Sequence, residues 1–230
     1  VEAGVRIHEE TEAGALTPGE PARVDTPKAK VTADHVVVAA NGYLGLLEPR
    51  TARRVMPINN FIVATEPLGA RAPEILPDDV AAADSRFVIN YWRKSEDGRL
   101  LFGGGESYGY RFPPDIAAVV RRPMLRIYPQ LAGARIDHAW GGTLGITRTR
   151  MPVFARPATG LWTAAGFSGH GVAMGTMAGR ILAEAIAGEA GRFDVMSRVR
   201  TPPFPGGTGL RRPLLALAMT WYALRDRLGL

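Results

Sequence analysis

Near its start the chain carries an apolar run with no polar interruption, Asp34-His-Val-Val-Val-Ala-Ala-Asn-Gly42, closed by Asn-Gly. A half-exposed strand would alternate, so an unbroken run predicts a short strand covered on both faces, as in a parallel sheet. Gly160-Leu-Trp-Thr-Ala-Ala-Gly166 has the same texture and predicts a second buried strand. A helix should follow it to about Ala187 and stop at Gly188, where glycine ends helices most readily. Ahead of the first run, Val5–Glu9 alternates and predicts a strand, whereas residues 11–28, with three prolines and two glycines, predict a loop.

Between these matching ends the texture changes. NNFIVATEPL, RFVINYWRK and GRLLFGGG are rich in aromatic and β-branched residues, and Ser95-Glu-Asp-Gly98 between the last two predicts a hairpin loop. Asp115–Tyr128 predicts helix interrupted at Pro123, which either ends one helix or opens another. Arg135–Thr147 returns to strand. The pattern as a whole predicts a mixed α/β (α+β) chain. Residues 1–56 and 151–199 would form part of one split nucleotide-type domain, and 57–150 an inserted, mostly antiparallel substrate domain. Residues 200–230 would be a tail with an apolar helix over Leu214–Leu224, too short to span a bilayer.

Composition narrows the chemistry. The 230 residues include no cysteine, which excludes disulfides, thiolate metal sites and a cysteine nucleophile, and fits a reducing, cytoplasmic setting. Net charge is +6, but the arginines stand singly or in pairs such as Arg53-Arg54 and Arg121-Arg122, without a nucleic-acid-binding motif. The chain opens mid-pattern on Val1, which predicts that upstream sequence is missing.

The segment with the most specific chemistry is GFSGHGVAMGTMAGR, with five glycines between Gly166 and Gly179. Each glycine inside a helix costs about 1 kcal/mol relative to alanine, so their presence implies close approach to the backbone. Gly171, Gly175 and Gly179 recur every four residues and so share one helix face. Gly166 and Gly169 sit in the turn before it. The free N–H groups of the first turn, at the positive end of the helix dipole, favour an anion or a ring that becomes anionic. The spacing is not the GxGxxG of a pyrophosphate loop, and it lacks the later ribose-binding acid.

LWTAAGFSGHGVAMGTMAGRILAEAIAG resembles the flavin-contacting segment of the D-amino-acid-oxidase-like FAD oxidoreductases. DHVVVAANGYLGLLEPRTARRVMPINNFIVATEPLG and YWRKSEDGRLLFGGGESYGYR are most similar to the γ-glutamylputrescine oxidase branch of that family. The likeness covers about residues 30 to 195. It implies that the split domain is Rossmann-like and binds FAD, with Ala40, Asn41 and Gly42 near the pyrophosphate. It implies that Gly166, Ser168, Gly169, His170, Gly171, Val172, Ala173 and Met174 line the isoalloxazine, with Gly142 and Arg150 as further cofactor contacts. His170 is the weak candidate for acid–base work. Substrate contacts would be Tyr91, Trp92, Arg93 and Trp140. Aromatic faces suit a cationic amine, and an arginine suits a distal carboxylate.

The implied reaction is oxidation of a small amine, in putrescine breakdown, to an imine that water hydrolyses. Oxygen or another acceptor would reoxidise the flavin, and neither nucleic acid nor a membrane span is expected. Two features depart from the family. The Gly-x-Arg-Pro of relatives that oxidise free amino acids is replaced by Trp140-Gly-Gly-Thr-Leu-Gly145, with Arg148 and Arg150 a little later. This favours an amine without an adjacent carboxylate. The strand–GxGxxG fingerprint is also missing, so this chain alone is expected to bind FAD weakly or not at all, and to be inactive. Any FAD is non-covalent or linked elsewhere, since no cysteine is available. The alternatives are a flavin-family domain in tRNA modification and a non-catalytic fragment.

Overall fold

The computed structural model describes residues 2–86, 88–108, 110–210 and Leu217. In chain order come β1 (Ala15–Thr17), β2 (Ala22–Asp25), β3 (Lys30–Ala33), β4 (Val36–Val38), the short helix α1 (Pro49–Ala52) and the long strand β5 (Met56–Thr65). Next are α2 (Ala72–Ile75), β6 (Ala81–Ala83), β7 (Tyr91–Lys94), β8 (Leu100–Tyr108), α3 (Ile116–Ile127) and β9 (Ile136–Ile146). The last are β10 (Val153–Ala158), β11 (Leu161–Ala165), α4 (Gly171–Ile186) and α5 (Gly191–Ser197). The expected helix over 214–224 lies outside the described residues, apart from Leu217.

Two compact units result. The first comprises Val1–Met56 with Gly145–Thr208; the second holds Pro57–Leu144 and what is described beyond Thr208. In the first unit β4 pairs in parallel with β11, as unbroken apolar runs predict, and β10 pairs antiparallel with β11. All five residues of β11 are buried. One face of α4 buries Ala178, Ile181, Leu182 and Ala185 in a cluster with Phe154, Trp162 and Phe193.

Two expectations fail here. Val5–Glu9 forms no strand. Within 11–28, predicted as loop, β1 and β2 pair antiparallel, and β3 extends them to a three-stranded sheet. Its strands carry Arg23, Asp25, Lys30 and Thr32, so apolar periodicity could not announce them. Backbone pairing and cross-strand contacts such as Arg23 Nη2 donating to Thr17 Oγ1 at 3.3 Å hold this sheet instead.

The second unit is built on the sheet β6-β7-β8-β5-β9, covered on one side by α3. Phe61, Val63, Leu100, Phe102, Val120, Met124 and Leu131 form its core. Helix α3 continues through Pro123, where the sequence suggested an interruption. An interior proline costs about 3 kcal/mol or more. Burial of Val120 and Met124 against the sheet offsets that cost, and the Pro123 ring lies toward Gly104 of β8. The hairpin at Ser95–Gly98 forms as predicted, with Gly98 N–H donating to Ser95 O and φ +76 at Gly98.

An ion-pair network closes the sheet's end. Asp137 takes Arg99 Nη1 on Oδ2 and Arg135 Nε on Oδ1, each at 2.7 Å, while Arg99 Nε reaches Asp97 Oδ2 at 2.6 Å. Arg135 first, then Arg99, holds the Asp137 carboxyl below the usual carboxylate range. A depressed folded-state pKa stabilises above the unfolded value, near 3.9, and that support is lost as pH falls through the folded one. Asp137→Asn should therefore narrow the gap between the melting temperatures at pH 7 and pH 3. An unchanged gap would show that acid unfolding starts elsewhere.

Candidate functional site

In the first unit three chain segments are tied into one knot. Asn41 adopts φ +43, a conformation asparagine tolerates, and its Oδ1 accepts the Gly166 N–H at 2.8 Å. Ser168, also at positive φ and buried, donates its Oγ–H to Gly166 O at 3.1 Å and accepts the Thr147 N–H at 3.2 Å. Its own N–H donates to Gly145 O at 2.9 Å. A Cβ at Gly145 would strike Asn41 Oδ1, and one at Gly166 would strike the Thr147 methyl. The turn after β4, the end of β9 and the turn after β11 therefore fix one another.

Helix α4 starts from that knot. His170 is its exposed N-cap and makes no side-chain cap bond; the bond that opens the helix is Met174 N–H to His170 O at 3.0 Å. The N–H groups of residues 171–173 thus point out of the helix end. Gly171, Val172 and Ala173 are exposed, Val172 at 96%. Among the described residues, a Cβ at Gly169, Gly175 or Gly179 would meet nothing within 4 Å. Among the described residues, then, close packing does not account for those glycines. The bare face and the unsatisfied helix start fit a flat ring that gains negative charge.

In the second unit the sheet has a core face and a polar face. Phe61, Val63, Phe102 and Trp92 lie on the core face; Trp92 stacks on Phe102 with ring centroids 5.5 Å apart and meets Tyr128 edge-on. Tyr91 faces the other way. Its ring lies over Gly103, where a Cβ would collide with it, and its hydroxyl donates to Asn60 Oδ1. Asn60 pairs with Glu106 across the β5–β8 ladder, and Tyr108 O–H donates to Glu106 Oε2 at 3.3 Å. Burial raises the Tyr91 phenol above its ordinary pKa. Burial, then the Glu106 charge, does the same for Tyr108.

A bulge decides which residues share this face. Gly104 and Gly105 together oppose Phe61, with the register shift between Asn60 and Ile62. Both glycines aim at the core side, Gly104 toward Pro123 and Gly105, at φ +79, toward Val119. Glu106 and Tyr108 thereby share the face of Gly103 and Tyr91.

Of the expected cofactor contacts, Asn41, Gly166 and Ser168 are brought together by hydrogen bonds, with Ala40 and Gly42 adjoining in the same turn. Arg150 stands at φ +62 in an exposed turn whose N–H donates to Thr147 O at 3.3 Å. Gly142 lies in the second unit, with nothing within 4 Å of a built Cβ. Of the expected substrate contacts, Trp92 is committed to core packing. Arg93 is exposed, with Nη2 4.0 Å from Asp79 Oδ1. Trp140 is 44% exposed. Gly145, Thr147, Asn60, Glu106 and Tyr108 escaped sequence reasoning. The signal for the last two was the GGG triplet, which permits a bulge.

Residues 1–185 match the sequence pattern of the family described as DAO, FAD dependent oxidoreductase. The chain belongs to this family. A DAO relative from Rhizobium meliloti, "Probable oxidoreductase OrdL", is 47% identical over 98% of this chain and 53% of its own length. The Escherichia coli protein named gamma-glutamylputrescine oxidoreductase is 41% identical over 98% of this chain and 54% of its own. The chain thus spans about half the length of the curated relatives it matches.

Solved DAO-fold flavoenzymes superpose on it. L-proline dehydrogenase from P. horikoshii gives a TM-score of 0.66 at 24% identity over 80% of this chain and 51% of that one. Glycine oxidase from Geobacillus kaustophilus gives 0.65 at 20% identity over 91% and 54%. At such identities the likeness establishes the fold alone. Among the described residues no helix is long and apolar enough to cross a membrane.

Proposed function

We propose that this chain is the flavin-ring and substrate-binding part of an FAD-dependent amine oxidoreductase acting on γ-glutamylputrescine or a similar amine. The observation that carries this reading is the bare start of α4, with Gly169, Gly175 and Gly179 open and Asn41, Gly166 and Ser168 locking the turn before it. The relative named for γ-glutamylputrescine supports the choice of substrate. Bound flavin would supply the hydride acceptor, turning the amine into an imine that water hydrolyses, with oxygen or another acceptor completing the cycle.

The chain's own residues orient and stabilise. Asn41, with Ala40 and Gly42, would hold the pyrophosphate side. Gly166 and residues 168–174 would hold the ring, where the N–H groups of residues 171–173 and the helix dipole stabilise developing negative charge. Gly142 and Arg150 would add outer contacts. His170 is the titratable side chain between 166 and 174, and is the candidate for taking the proton the amine must lose. Tyr91, Arg93 and Trp140 would meet the substrate, with Trp92 backing Tyr91's strand from the core.

Anaerobic mixing of the full-length flavin-loaded protein with γ-glutamylputrescine tests this reading. Bleaching of the flavin's visible absorbance is expected. Bleaching by glycine or proline, but not by γ-glutamylputrescine, would move the substrate to free amino acids.

A further inference from the structure

We propose that residues 200–204 brace the turn that would hold the flavin ring, and that Arg148 is the positioning residue through which the brace acts. This rests on the flavin reading above and extends it to a segment beyond residue 185, where the match to the family pattern ends. Every residue involved belongs to the first unit.

The segment is stiff and tied at both ends. Thr201-Pro-Pro-Phe204 lies outside helix and strand, and its two prolines fix φ while offering carbonyls without an N–H of their own. Arg148 Nη1 donates to Pro203 O at 3.2 Å, and the Thr149 hydroxyl donates to Arg200 O at 3.5 Å. Thr201, between those two carbonyls, is buried. At the far end Phe204 N–H donates to Arg53 O at 2.9 Å. Arg53 closes α1, which is itself anchored: the Glu48 carboxylate caps its first turn, and Arg50 Nη1 donates to Pro157 O of β10.

The turn these bonds hold is one that needs support. Arg150 stands at φ +62, which a non-glycine residue adopts only when its surroundings impose it, and the bond that closes the turn, Arg150 N–H to Thr147 O, is long at 3.3 Å. Thr147 heads the turn and belongs to the knot beneath α4. Its N–H donates to Ser168 Oγ at 3.2 Å, and its methyl lies where a Cβ on Gly166 would be. Ser168 passes the constraint on by donating to Gly166 O at 3.1 Å. The segment therefore reaches the start of α4 through the 147–150 turn, and Arg148 is an exposed side chain in that link. Loosening it should shift the turn, and with it the aim of the N–H groups of residues 171–173, without opening the core.

The test uses the full-length protein as wild type and as Arg148→Ala, Arg148→Lys and Pro203→Gly. FAD affinity is read from quenching of flavin fluorescence on reconstitution, and ease of reduction from anaerobic equilibration of the bound flavin with a reference dye. Arg148→Ala is expected to weaken FAD binding roughly fivefold, the value of one hydrogen bond. It should also move the dye equilibrium roughly threefold toward oxidised flavin, because poorly aimed N–H groups stabilise the reduced ring's negative charge less. Arg148→Lys, whose ammonium can reach the same carbonyl, should restore most of both.

Should Arg148→Ala fail to fold, Pro203→Gly decides. It keeps every donor and acceptor in place and only frees the segment's backbone, so it should reproduce part of both shifts. A melting temperature lowered by Arg148→Ala with FAD affinity and dye equilibrium unchanged would make Arg148 a purely structural residue and overturn the proposal. Equal losses in the Ala and Lys variants, or no shift in Pro203→Gly, would overturn it too. In each of those cases wild-type protein that binds FAD leaves the flavin reading standing, whereas wild-type protein that takes up none removes that reading and the brace together.

Discussion

Gly166→Ala is expected to destabilise the first unit by about 3 kcal/mol, from two separable causes. The position has φ +78, which costs an L-residue about 1–2 kcal/mol. The new Cβ would also run into the Thr147 methyl, and Thr147 cannot swing aside freely, because its Oγ1–H donates to Met151 O at 2.8 Å and it is only 2% exposed. Overpacking of that kind costs about 1–3 kcal/mol. Thr147→Ser removes the methyl and keeps the hydroxyl. Added to Gly166→Ala, it should recover the collision and leave the backbone cost. Urea unfolding of the four proteins in the double-mutant cycle measures both parts. Strict additivity would mean that the two side chains do not meet, and that the knot among Asn41, Gly166 and Ser168 is arranged differently.

Gly175→Ala should have opposite effects on stability and on cofactor affinity. A Cβ there meets nothing within 4 Å, and alanine in a helix is favoured over glycine by about 0.8–1 kcal/mol. The flavin-free protein should therefore gain stability. Flavin affinity should fall, and Gly175→Leu, with a longer side chain on the same bare face, should remove bound flavin almost entirely. Chemical denaturation of the apoprotein and flavin content of the purified protein are the two readouts. If both variants retain full flavin while the helix is stabilised, the open face of α4 serves something other than the ring. This pair of measurements separates a glycine kept for packing from one kept for a ligand.

Much of this was legible in the residues. The runs at 34–42 and 160–166 announced the parallel pair β4 and β11, because a strand covered on both faces needs no polar alternation. Gly188 marked the stop of α4, and Ser95–Gly98 marked the hairpin, because both rest on local backbone chemistry. The polar sheet β1-β2-β3 was illegible, since its strands are held by ladder hydrogen bonds and carry no apolar stripe. Pro123 misled for a related reason: a local rule was overridden by burial of Val120 and Met124.

The candidate site divides along the same line. The chain by itself determined the glycine spacing of α4 and the family motifs, because a backbone cradle is written directly as missing side chains in consecutive positions. Tertiary structure alone decided that Asn41 meets Gly166 across 125 residues, that Trp92 turns inward and Tyr91 outward, and that Glu106 joins Tyr91's face. Those outcomes depend on register. One extra residue in β8 reverses every side chain beyond it, and whether that residue is accommodated as a bulge depends on what Gly105 meets on α3.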